Sequence, residues 1–205
     1  MEKWWLAIKE ERKYFGMVTI VFLTSAIAGY FNGDSLIEWL KQAGVFGEIE
    51  KVVQSINSDP SFFNAFTTIF FHNLLASVVI IFFGALFFGI YPFFTILVNG
   101  MMLGTALLMT AKLSGENPWV IFVHSILPHG IMELPAVVMA AGIGVHLGTA
   151  LFRRLLSFFV PARLEASVAE WKAIRQHLGP NLVVIVILLF CAALIESALI
   201  LYGVS

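Results

Sequence analysis

Residues 62–91 read FFNAFTTIFFHNLLASVVIIFFGALFFGIY, and no Asp, Glu, Lys or Arg interrupts them. A helix rises about 1.5 Å per residue, so about 20 apolar residues cross a hydrocarbon core of about 30 Å. This block exceeds that length and has room to tilt or protrude. Asp59-Pro60-Ser61 precedes it, a capping residue followed by proline, which is a helix-start signal. Lipid offers no hydrogen bonds to the backbone, so a segment of this kind satisfies its own amides as a helix.

Working outward, Pro92 predicts a tight turn and residues 93–111 a further span. Upstream, residues 14–30 form the first span, ended by Asn32-Gly33-Asp34. Residues 1–13 mix Lys3, Lys9, Arg12 and Lys13 with Trp4, Trp5, Leu6 and Ile8, which suits a short helix lying at the interface. In residues 35–57, Ile49, Val52, Val53 and Ile56 have the spacing of one helical face, with Glu48, Glu50 and Lys51 elsewhere. That segment is amphipathic and lies outside the membrane. Downstream of the polar loop Ser114-Gly115-Glu116-Asn117-Pro118, residues 119–151 hold Pro128 and Pro135. They predict a kinked or broken fourth span, or else a short re-entrant helix before a full one. Residues 152–178 are basic and amphipathic, Gly179-Pro180 is expected to end them, and residues 182–202 form the fifth span.

The fold class is therefore all-α, a polytopic transmembrane helix bundle of about five spans in a single integral membrane domain, residues 1–205. Composition agrees: 60% of residues are hydrophobic and 12% charged, against roughly 25% charged in soluble domains. The net charge of -1 points to no nucleic-acid partner. A lone cysteine, Cys191, forms no internal disulfide. The charged start, the apolar run 17–28 and Ala26-Ile27-Ala28 resemble a cleaved signal, but Glu2, Glu10 and Glu11 dilute the positive region, so a retained first span is expected.

Five spans place the termini on opposite sides. With the amino terminus inside, Lys3, Lys9, Arg12, Lys13, Arg153, Arg154, Arg163, Lys172 and Arg175 are inner, and only Lys41, Lys51 and Lys112 are outer. The positive-inside rule thus predicts a multi-pass cell-membrane protein with a cytoplasmic amino terminus and an external carboxyl terminus.

Ionisable residues inside spans are costly and usually face the bundle interior. In this topology His72, His124, His129, Glu133 and Glu196 fall in the outer half of spans two, four and five, while Asn99 and His146 fall toward the inner side. His129 and Glu133 are four apart, on one helical face. With His72, His124 or Glu196 brought in by packing, they are candidate ligands for a divalent metal such as zinc. The alternative is a histidine–carboxylate pair that pins the kinked helix to its neighbours. No His-Glu-x-x-His motif supports hydrolysis, and no catalytic residue is assigned. Gly100-Met101-Met102-Leu103-Gly104 and Gly144-Val145-His146-Leu147-Gly148 are small-xxx-small repeats, open to packing within the chain or between two copies of it.

Asn73, Gly84, Gly89, Asn99-Gly100 with Gly104, the string Pro128-His129-Gly130-Ile131-Met132-Glu133-Leu134-Pro135-Ala136, and Gly142 with Gly144 resemble the stage II sporulation protein M family. The resemblance covers residues 73–151. It implies a bacterial or archaeal membrane protein of about five spans, similar to a scaffold that holds cell-wall-degrading partners together during engulfment. It places motif residues at His129 and Glu133 without giving them a chemistry. Three functions stay open. One is a membrane scaffold organising peptidoglycan-remodelling partners, the second a metal-dependent intramembrane enzyme, and the third a small transporter.

Overall fold

The computed structural model describes residues 2–42 and 44–202; the side chains at 2–4, 45, 46, 48–50 and 129, which include Lys3, Trp4, Ile49 and His129 of the sequence reading, lie outside the described residues. The described residues form helices joined by turns and short irregular links, with no strand among them. In chain order these are α1 (Glu2–Phe31), α2 (Gly33–Gln42), α3 (Val45–Ser58), α4 (Phe62–Leu86), α5 (Ile90–Ser114), α6 (Pro118–Ile121), α7 (Leu127–Phe159) and α8 (Leu164–Tyr202). Five of them, α1, α4, α5, α7 and α8, are long and apolar enough to cross a membrane. The chain is a multi-pass membrane protein built as an all-α bundle.

At the centre stands α7. Of its most apolar window 61% is buried, against 22–28% in the other four spans, so the others surround it. Its buried face is made of small residues, including Ala136, Ala140, Ala141 and Ala150, which lets four neighbours approach closely. Val18 and Phe22 of α1, Ile80 of α4 and Ile96 of α5 pack on Ala141 and Val145. On another side Ile185 and Leu189 of α8 pack on Ala136, Met139, Ala140 and Ile143.

Both glycine repeats are used within the chain. A Cβ added at Gly100 would strike Ser25 and the carbonyl of Phe22, and one at Gly104 would strike the carbonyl of Ala26, so α5 lies directly on the α1 backbone. The Thr105 hydroxyl adds a bond across this seam to the Gly29 carbonyl at 3.3 Å. Gly144 and Gly148 let α7 touch Gly84 and Gly89 at the α4–α5 turn.

The structure corrects several boundaries. α1 runs unbroken from Glu2, so there is no separate interfacial helix before Tyr14; the chain there holds no proline, and Gly16 sits in open space. The tight turn is Phe87-Phe88-Gly89, with Phe88 at φ 53° and Gly89 at φ 87°, closed by a 2.7 Å bond from the Gly89 N–H to the Gly84 carbonyl. Pro92 instead lies buried in the first turn of α5, where a missing N–H leaves no helical bond unmade. Nor does Pro180 end anything: α8 continues through it. Packing holds both sides of that proline, and the buried Asn181 amide donates to the Ala7 carbonyl of α1 at 3.3 Å. The amphipathic stretch 152–178 is consequently a helical hairpin, made by the end of α7, a turn at 160–163 and the start of α8.

Around Pro128 the expected break takes the form of a wide π turn at Phe122–Ile126, leading directly into α7. Proline clashes with the carbonyl four residues back, and one extra residue in the turn relieves that clash. Pro135 is accommodated inside α7. At the end of the bundle away from the amino terminus, α2 and α3 form a pad. Asp34 pairs with Lys112 of α5 at 2.6 Å, and Ile56 of α3 packs on Ala65 and Ile69 of α4 and Ala193 of α8. Val53, expected on the packed face, is half exposed.

Candidate functional site

Among the described residues two polar clusters link the helices of the bundle. The first is near mid-span. Asn73 of α4 donates its amide to Glu133 Oε1 of α7 at 3.2 Å, and Glu196 of α8 lies near Glu133. Beside them a crevice of about 270 Å³ opens between α1, α5 and α7; Glu133 and Asn99 supply its polar wall, and Phe22, Leu103, Ile126 and Leu134 much of its apolar wall. The π turn borders this crevice through Ile126. Such wide turns recur at functional sites because they re-aim side chains that a regular helix would space evenly.

The structure sorts the sequence candidates as follows. Glu133 and Glu196 come together, and Asn73 joins them. Asn99, assigned by depth to a separate inner position, instead lines the same crevice as Glu133. His124 is exposed on the π turn, and His72 is half-buried on α4. His129 precedes Glu133 by one turn of α7. Among the described residues no group of three or more His, Cys, Asp or Glu is arranged to hold a metal ion. Gly130 lines the crevice, and Gly100 and Gly104 set the close α1–α5 contact. Pro128 and Pro135 lie in the helix that carries Glu133.

A family model for stage II sporulation protein M matches residues 18–199, from the first span nearly to the end of the last. The chain belongs to the stage II sporulation protein M family. No curated protein sequence and no solved structure matches it. In this family member, the resemblance at residues 73–151 coincides with the central helix and the faces packed on it. The Pro-His-Gly-x-x-Glu-Leu-Pro-Ala string lies in the first turns of α7, just after the π turn, and delivers Glu133 to Asn73.

The second cluster escaped sequence reading. His146 Nδ1 of α7 lies 2.7 Å from Glu11 Oε2 of α1, and its Nε2 lies 3.5 Å from Glu170 of α8. Tyr14 stacks on the imidazole with centroids 4.3 Å apart. Arg153 completes the group, bonding both Glu170 oxygens and donating to the Tyr14 hydroxyl at 3.1 Å. Glu11 is 4% exposed, so its partners rather than water stabilise it. This cluster ties α1, α7 and α8 together at the amino-terminal end. Its members are separated by up to 159 residues, and no local spacing announces them.

Proposed function

We propose that this chain is a membrane assembly subunit that holds cell-envelope partners, among them peptidoglycan-remodelling proteins, at the membrane. The observation that carries the reading is the α7–α8 hairpin. From Gly148, which touches the α4–α5 turn, to Phe159 there are about 16 Å of helix at 1.5 Å per residue. The hairpin therefore projects past the bundle. Its tip exposes Leu155, Phe158, Phe159, Val160, Leu164 and Val168. Exposed apolar side chains beyond the bundle end suit a protein partner. The α2–α3 pad offers a second docking element at the opposite end. Family membership supports the reading.

The positive-inside bias assigns the amino terminus and the hairpin to the cytoplasm. Cysteine labelling from each side, at Arg163 and at Lys41, tests that orientation. The scaffold reading is tested with a Phe158→Asp/Phe159→Asp chain. It is expected to insert and melt like the wild type, yet to fail to restore envelope remodelling in cells lacking the protein. Full restoration by this variant removes the hairpin as the docking element.

A second reading is a divalent-metal site at the crevice, favoured by the approach of Glu133 and Glu196 with His129 one turn away. Elemental analysis of purified wild type, His129→Ala and Glu133→Ala decides it: about one metal per chain, lost in both variants, is its requirement.

A further inference from the structure

The mid-span crevice is built unlike a packing gap between helices. α5 and α7 share a core through Ile96, Ala141 and Val145, and toward the π turn the space between them opens over Phe22 of α1. Along α7 it runs from Val137 to Ile126, about 16 Å of helix at 1.5 Å per residue. Phe22 is buried at its floor, whereas Ala106 of α5 is exposed on its wall.

Two uncommitted polar side chains line this space. Asn73 holds Oε1 of Glu133, while Oε2 takes no hydrogen bond among the described residues and is not sealed from contact. The Asn99 side chain makes no hydrogen bond among them either, and it too stays accessible. None of the described residues lining the crevice is basic. A carboxylate and an amide facing hydrocarbon without partners are costly, so a lipid acyl chain is a poor occupant. A group that donates hydrogen bonds and carries positive charge suits Glu133, and an ammonium does both. Volume bounds the rest of the ligand. A cavity of about 150 Å³ holds a benzene ring, so the 270 Å³ here admits a ring with a short arm.

We propose that the crevice is a binding site for a small primary amine, a compact apolar body of about ten heavy atoms whose ammonium donates to Glu133 Oε2. Depth selects a free amine over a lipid headgroup. Between Pro118, where the helical run through the π turn begins, and Glu133 there are about 22 Å of helix. A headgroup anchored at the interface does not reach that far. The amine site goes beyond the assembly role and does not depend on it.

The test titrates 2-phenylethylamine into the full chain in phosphatidylcholine nanodiscs, read by calorimetry against empty discs. Saturation at about one amine per chain is expected. 2-Phenylethanol, of the same size but uncharged, binds about tenfold more weakly, the loss typical of one hydrogen bond to a charged group. Phenylacetate, which repels Glu133, does not saturate. Glu133→Gln keeps an acceptor for Asn73 and brings the amine level with the alcohol. Ala106→Phe fills the crevice from an exposed position and weakens both. Glu116→Gln, an exposed carboxylate in the α5–α6 loop, leaves amine binding unchanged. The proposal is overturned if the amine does not saturate, if Glu133→Gln binds it like the wild type, or if Glu116→Gln weakens it as much as Glu133→Gln. Competition by phosphatidylethanolamine added to the discs overturns the free amine as the source, and binding of zinc in place of the amine overturns the amine as the occupant. The Phe158→Asp/Phe159→Asp test of the assembly role is unaffected by any of these results.

Discussion

Substituting alanine at two glycines separates the packing of this bundle from its crevice. At Gly104 a new Cβ would lie on the Ala26 carbonyl oxygen and 2.5 Å from the Tyr30 nitrogen, both α1 backbone. Backbone does not swing aside, so α1 and α5 must move apart by about an ångström, and the close contacts at Gly29 and Gly100 loosen with them. Overpacking of this kind costs about 1–3 kcal/mol before any loss along the seam, against about 1 kcal/mol gained from replacing a helical glycine. At Gly130 the nearest atoms to a new Cβ are side-chain carbons of Ile126 and Leu134 at 3.7–3.9 Å, ordinary contact. There the helical gain stands alone. Gly104→Ala is therefore expected to destabilise by about 1–2 kcal/mol net, and Gly130→Ala to be neutral or stabilising by up to about 1 kcal/mol. Reversible unfolding in mixed detergent micelles measures both. A Gly104→Ala chain as stable as wild type, or a Gly130→Ala chain that loses as much as Gly104→Ala, would show that backbone contact does not set the α1–α5 distance. Because Gly130 lines the crevice, a Gly130→Ala chain that is stable but inactive would locate function there.

Glu133→Gln keeps an acceptor for Asn73, so its stability is expected to hold; Glu133→Leu orphans the Asn73 amide and costs about 1–3 kcal/mol in the same unfolding assay. His146→Ala removes the nearest partner of the buried Glu11 carboxylate and the ring stacked on Tyr14, and is expected to lower the melting temperature more than any single change in the α2–α3 pad. His146→Ala with Glu11→Gln in the same chain recovers part of that loss, since no charge is then stranded. Lys112→Met breaks an ion pair whose side chains are 49% and 69% exposed. Its effect stays within about 1 kcal/mol and shrinks as salt is raised from 50 to 500 mM, roughly the range over which the Debye length falls severalfold.

Hydropathy and punctuation carried the architecture because the constraint they express is local. A segment in lipid must bond its own backbone, so length and apolarity were enough to give an all-α bundle with five apolar helices, and Asn32-Gly33 and Gly115 were enough to end α1 and α5. Proline misled at positions 92 and 180 because its cost depends on where a helix starts and on what packs beside it, and neither is a property of the tripeptide. The glycine repeats were legible as close-packing sites; that their partners were α1 and the α4–α5 turn of the same chain was not. Charge inside the bundle was the least legible of all. Glu133 stood out by its rarity in an apolar run, but its pairing with Asn73, its approach to Glu196 and its sharing of a crevice with Asn99 depend on the rotation of four helices about their axes. Glu11, His146, Arg153 and Glu170 meet only because α1, α7 and α8 converge at one end. Periodicity reports what one helix buries against lipid or neighbours in general, whereas a polar site is a coincidence of particular side chains from several helices. In this protein tertiary packing alone decides which of them meet.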